Sequence, residues 1–186
     1  MDVTRKSVLW LRQWWVGVWL LAVCWPLNWC LPGLRTAYLF FPLWLGYILT
    51  VDGLVQHRTG SSQWSRSRRG FAMLFVASAP AWWLFELINH RTGNWEYRGG
   101  DSFGPIEYFL LSTLCFSTVT PAVFETAELV RSFGWVQRLG PGRRIAPTPA
   151  LNLGLFVTGA AMLALALAWP RYCYPFVWTS LVLLLE

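Results

Sequence analysis

Charge is scarce in this 186-residue sequence: 13% of residues are Asp, Glu, Lys or Arg, against 55% hydrophobic, and the mean hydropathy is +0.42. Soluble domains carry about 25% charged residues, so the composition excludes an ordinary water-soluble domain and implies an integral membrane protein. Histidine is scarcer still. Only His57 and His90 occur, too few for the multi-histidine membrane iron enzymes, and no metal site is expected. The four cysteines, Cys24, Cys30, Cys115 and Cys173, form no Cys-x-x-Cys pair and read as small apolar packing residues. Cys30 and Cys173 fall on the same boundary in the topology below, where an oxidising compartment would admit a disulfide. No small-x-small cleavage site follows the first apolar run, although Arg5, Lys6 and Arg12 precede it, so that run reads as an uncleaved anchor.

Tryptophan, by contrast, is abundant. Of fourteen in the chain, Trp10, Trp14, Trp15, Trp44, Trp64, Trp95, Trp135 and Trp169 lie near the ends of apolar runs, as expected of residues gathered at membrane–water interfaces. The net charge of +6 would suit a nucleic acid, but the arginines sit in short loops between apolar runs, so the charge is a topology signal and no nucleic-acid partner is expected.

A crossing helix needs about 20 mostly apolar residues. Five stretches qualify, at about residues 14–31, 37–55, 70–90, 105–130 and 151–169. The fourth begins at Pro105, a residue suited to the first turn, and Pro80 and Pro121 are expected to kink the third and fourth. Residues 56–69, 91–104 and 131–149 read as loops, with a turn or coil at Thr59-Gly60-Ser61-Ser62. Residues 174–186 are apolar but too few to cross, so a sixth span stops short or the chain is the N-terminal part of something longer. With the N-terminus inside, the inner segments hold eleven Lys and Arg and the outer ones four, the bias of a positive-inside topology. The fold expected is therefore all-α: one polytopic membrane bundle over residues 1–186, N-terminus inside, in a cell membrane such as the bacterial inner membrane.

Ionisable side chains at membrane depth are costly and mark functional sites. Glu86, Asn89 and His90 stand at i, i+3 and i+4, so they share one helical face at the outer end of the third span. Glu107 opens the fourth span on the same side. Glu125 lies 18 residues on, five turns along and roughly 27 Å away on the same face of a continuous helix. With Glu128 and Asp52 it makes a second, inner acidic site. There Glu128 can pair with Arg131 at i, i+3, and Asp52 can serve as a charge partner for the basic loop.

Burial disfavours a carboxylate anion, so a buried acid can donate a proton near neutral pH. Aromatic faces such as Trp82, Trp83, Phe85, Trp95, Tyr97, Tyr108 and Phe109 can steady a nearby carbocation. Acid plus aromatic lining, open to lipid, describes a site for protonating an isoprenoid double bond. The candidate catalytic residues are Glu107 and Glu86, with Asn89, Trp95, Tyr97, Tyr108 and Trp83 as substrate-binding residues.

The order Phe41-Pro42 with Asp52, Ala79-Pro80-Ala81-Trp82-Trp83, Gly93-Asn94-Trp95-Glu96-Tyr97 and Gly104-Pro105-Ile106-Glu107-Tyr108-Phe109 resembles the three-helix repeat of small membrane lycopene cyclases of the heterodimeric and fusion type, over about residues 38–120. The resemblance implies a helix-opening Pro-x-Glu-Glu motif matched by Pro105 and Glu107, and proton chemistry without a redox cofactor. Tyr108 stands where that motif has its second Glu, so the missing carboxylate would have to come from Glu86.

Three functions fit the residues. The first is an intramembrane acid–base isomerase acting on a carotenoid or other isoprenoid lipid. The second is a non-enzymatic subunit or scaffold, as a homo-oligomer or with a membrane-protein partner, whose polar groups join helices. The third is a small proton-coupled transporter using acids near both surfaces, with Ser112, Thr113, Ser117 and Thr118 as a polar path between them.

Overall fold

The computed structural model describes residues 3–31, 33, 35–97, 100–140, 142 and 146–185, with the backbone alone for 3–11, 35, 36 and 101. The topology readings that rest on Pro32, Arg98, Arg143, Arg144 and Glu186, and on the side chains of Arg5, Lys6, Trp10 and Arg35, lie outside the described residues.

Among the described residues the chain is helical, without strands: α1 Val3–Cys30, α2 Arg35–Thr59, α3 Gln63–Arg66, α4 Arg68–Thr92, α5 Pro105–Phe116, α6 Val119–Arg131, α7 Gly134–Gln137, α8 Pro149–Ala168, α9 Pro170–Cys173 and α10 Phe176–Leu185, with a 3-10 turn at Gly100–Ser102. Four stretches are long and apolar enough to cross a membrane: Ala37–Thr59, Arg68–Thr92, Pro105–Arg131 and Pro149–Ala168. α1, which holds the first expected span, is longer still at 28 residues, with the backbone alone described over residues 3–11. Large apolar side chains face outward along them: Ile106 is 77% exposed, Leu87 70% and Leu153 63%. A monomer in water rarely presents such continuous apolar surface, which is the face a hydrocarbon solvent requires.

The helices group into two compact units, residues 1–82 with 99–140, and residues 83–98 with 141–186. In the first, α1 and α2 pack with their backbones nearly touching. A Cβ on Gly46 would stand 2.8 Å from Leu20 Cβ and 3.0 Å from the Gly17 carbonyl, and one on Gly53 would stand 2.5 Å from the Trp14 ring. Small residues let membrane helices approach this closely. Ile48, Leu49, Phe71 and Ala122 then fill the core between α2, α4 and α6. In the second unit Ile88, Ala166 and Val177 are buried together, and Gly159 seats α8 against α10, its would-be Cβ 2.9 Å from the Ser180 carbonyl.

The expected fourth span breaks in two. Pro121 has no N–H for the Ser117 carbonyl and its ring crowds it, so α5 ends at Phe116 and α6 begins at Val119. The break also removes the turn-to-turn bond between the Phe116 carbonyl and the Thr120 N–H. Ser78 of α4, 1% exposed, takes its place: its hydroxyl donates to the Phe116 carbonyl at 2.6 Å and accepts from the Thr120 N–H at 2.9 Å. A buried backbone pair that would otherwise be stranded is satisfied by one side chain. α4 itself continues through Pro80. The loop expected over residues 56–69 is partly helical, since α2 runs on to Thr59 and Ser62 starts α3 with a capping box shared with Ser65. The turn is confined to Gly60–Ser62, where Gly60 has φ +74°.

Candidate functional site

Polar side chains gather at three places. At the basic end of the first unit, Asp52 is 1% exposed and Glu125 0%. Asp52 draws in three neutral donors: Gln13 Nε2 at 2.8 Å and Ser62 Oγ at 2.9 Å to Oδ2, and the Trp64 N–H at 3.0 Å to Oδ1. Helices α1, α2 and α3 are thereby tied to one carboxyl group. No arginine bonds to it among the described residues, which corrects the reading of Asp52 as a charge partner: the Ser62 cap aims α3's first turn at the carboxyl and carries Arg66 past it. Both Glu125 carboxyl oxygens are buried without a hydrogen-bond partner among the described residues.

One turn nearer the surface, Arg66 forms an ion pair with Glu128. That corrects the expected Glu128–Arg131 pair: α3 delivers a guanidinium from another helix, and Arg131 is left exposed. Arg58 turns to Ser132, donating to its Oγ at 2.7 Å and its carbonyl at 3.1 Å, and lies 4.5 Å above the Phe133 ring.

The second place is Glu107, in the first turn of α5. Gly104 caps that helix and Pro105 fixes its first residue. The Glu107 carboxyl is exposed and accepts from Tyr38 OH at 2.9 Å. It stands in an open groove of about 760 Å³ whose other walls are chiefly Ile106, Leu110, Leu111 and Leu114. The Phe103 ring packs edge-on against Tyr38, centroids 6.0 Å apart. Tyr108 is half-buried, next to Gly100. The break at Ser117–Thr118 interrupts the five-turn count from Glu107 to Glu125, so an exposed acid and a fully buried one stand where one helical face was expected.

The third place is in the second unit. Glu86 Oε1 accepts from Trp95 Nε1 at 3.0 Å and from Tyr97 OH at 2.7 Å. Asn89, 9% exposed, accepts from the N–H groups of Asn94 and Trp95 and donates to the Trp95 carbonyl at 2.9 Å. Gly93, at φ +59°, closes α4 so that the link can turn back to these two residues. Trp178 stacks on both Phe85 and Trp95, at 4.9 and 5.7 Å. Trp83 is half-buried on the same helix. Glu86 and Glu107 thus belong to different compact units, each with hydrogen-bond partners in its own unit.

Three of the four hydroxyls expected to line a polar path bond instead to carbonyls three or four residues earlier: Thr113 to Phe109, Ser117 to Leu114 and Thr118 to Cys115. All four cysteines, Cys30 and Cys173 included, are free thiols. Among the described residues no three His, Cys, Asp or Glu side chains gather as metal ligands. Sequence reasoning missed Gln13, Tyr38, Ser62 and Ser78. Only Ser62 carried a readable signal, the Ser-x-x-Ser cap.

No protein-family model, curated protein or solved structure matches the chain.

Proposed function

We propose that the chain is an integral membrane protein of five crossings and a short sixth, N-terminus inside in a bacterial inner membrane, that protonates an apolar isoprenoid-type lipid at Glu107. The observation carrying this reading is the Glu107–Tyr38 pair, a carboxyl group set in an open groove with apolar walls. Tyr38 engages Oε1, which orients the carboxyl and leaves Oε2 to deliver a proton. The proton goes to one carbon of a double bond, and the cation forms on the other, within reach of the Tyr38 and Phe103 rings. Loss of a proton from the neighbouring carbon to the carboxylate restores the acid. The reaction is an isomerisation, so atoms and electrons balance without an oxidant or reductant. The resemblance to the lycopene-cyclase repeat bears on substrate class alone, and tyrosine supplies the partner that a second Glu supplies there.

The test is expression of the chain and of Glu107→Gln in a lycopene-accumulating host, with membrane levels of both proteins equalised. A positioned general acid contributes about 10²–10⁴-fold, so product should fall by that order, and Tyr38→Phe should lower it less. Unchanged product in Glu107→Gln would refute the reading. No product from either protein, together with lost assembly in the variant, would favour the scaffold.

A second reading rests on Glu125, a fully buried acid whose two carboxyl oxygens have no hydrogen-bond partner among the described residues. As an exchangeable proton site within a membrane helix pair it would suit a proton-coupled carrier. Glu125→Gln would then abolish proton uptake by vesicles holding the protein and leave the isomerase product intact.

A further inference from the structure

At the basic end of the first unit a cavity of about 280 Å³ opens between α2, α3 and α6. Its polar lining is Thr59, Ser61, Arg66, Arg131, Ser132 and Gln137, with Glu128 the one acid. Several of these groups are already engaged. Glu128 is neutralised by Arg66, Ser132 Oγ donates to the Leu129 carbonyl, and Thr59 Oγ1 serves the Val55 and Ser61 carbonyls. What remains uncommitted among the described residues is a set of donors: the Arg131 guanidinium, the Gln137 amide and the Ser61 hydroxyl proton. Donors left over around a concave site of net positive charge select an anion, and a guanidinium matches phosphate in particular. The volume lies below the roughly 300–1,000 Å³ of pockets that enclose a whole drug-sized ligand, so the occupant enters by a small group. Beside the cavity, Trp135 is 63% exposed, Leu139 65% and Phe133 37%, the amphipathic surface of a segment lying at the headgroup level.

We infer that this cavity binds the phosphate of an anionic membrane lipid, held by Arg131, Gln137 and Ser61, with its acyl chains running beside Phe133 and Trp135. The inference rests on the membrane reading above, and not on the chemistry at Glu107.

The test uses the full chain purified in a neutral detergent, with thermal midpoints followed while phosphatidylglycerol, phosphatidylcholine or inorganic phosphate is added. Phosphatidylglycerol should raise the midpoint saturably at concentrations where phosphatidylcholine does not. Arg131→Gln should raise its half-saturating concentration about tenfold, the loss of one charge-assisted contact, whereas Arg138→Gln, outside the cavity, should leave it within about twofold. Where Arg131→Gln yields no folded protein, Gln137→Ala takes its place with a loss in the same direction. Equal responses to the two lipids, or equal losses from Arg131→Gln and Arg138→Gln, overturn the site in favour of general charge attraction. Saturation by inorganic phosphate, lost in Arg131→Gln, with no response to phosphatidylglycerol, overturns the lipid assignment. A chain that stays monodisperse without detergent would remove the membrane reading itself, whereas a detergent-dependent chain blind to phosphatidylglycerol loses only this site.

Discussion

Ser78 shows how much one hydroxyl can carry where no water competes. It bridges the Phe116 carbonyl and the Thr120 N–H across the break that Pro121 opens. Ser78→Ala strands both, at about 1–3 kcal/mol for a buried group without a partner. Denaturation in detergent should register that loss, and an unchanged midpoint would show that the break needs no splice. The Asp52 cluster makes a parallel case. Asparagine offers one acceptor oxygen where Asp52 serves three donors on two, so Asp52→Asn should also cost about 1–3 kcal/mol. Retained stability would demote the cluster from a helix clamp to a local arrangement. The sequence showed the acids, because charge in an apolar run stands out. It did not show their partners: Gln13, Tyr38 and Ser78 are ordinary residues until helices 38 to 69 positions away in sequence are laid beside them.

Among the elements, the α1–α2 pair depends on glycine where backbones approach, and its tolerance should track the space available. Gly46→Ala drives a Cβ to 2.8 Å from Leu20 and 3.0 Å from the Gly17 carbonyl, an overpacking of about 1–3 kcal/mol. Gly154 of α8 has nothing within 4 Å, so Gly154→Ala should be neutral or stabilise by up to about 1 kcal/mol through helix propensity. Equal effects of the two substitutions on thermal midpoint would count against close α1–α2 packing. Element positions were largely readable from hydropathy, and Pro105 marked the start of α5, whereas α2 runs four residues past its expected end at Val55. What escaped was the short helix α3, because a four-residue helix has no periodicity to detect. Its effect is large all the same, since it takes Arg66 to Glu128 and its leading Ser62 to Asp52.

For the whole molecule, four stretches suited to crossing a membrane and an outward apolar surface make hydrocarbon the fitting solvent. An alkaline carbonate wash should leave the chain in the membrane pellet, and release into the supernatant would contradict that. A single cysteine introduced at Arg138 in an otherwise cysteine-free chain should label only after the cytoplasmic side is opened, as the proposed N-inside topology requires. The functional claim reaches furthest and is tested most directly by isotope. With lycopene made in ordinary water and membranes holding the protein then incubated in heavy water, product made through Glu107 should carry one solvent-derived deuterium for each double bond protonated. Product that forms in the presence of this protein without deuterium, or with the same deuterium content in Glu107→Gln, would contradict proton delivery from the Glu107 groove.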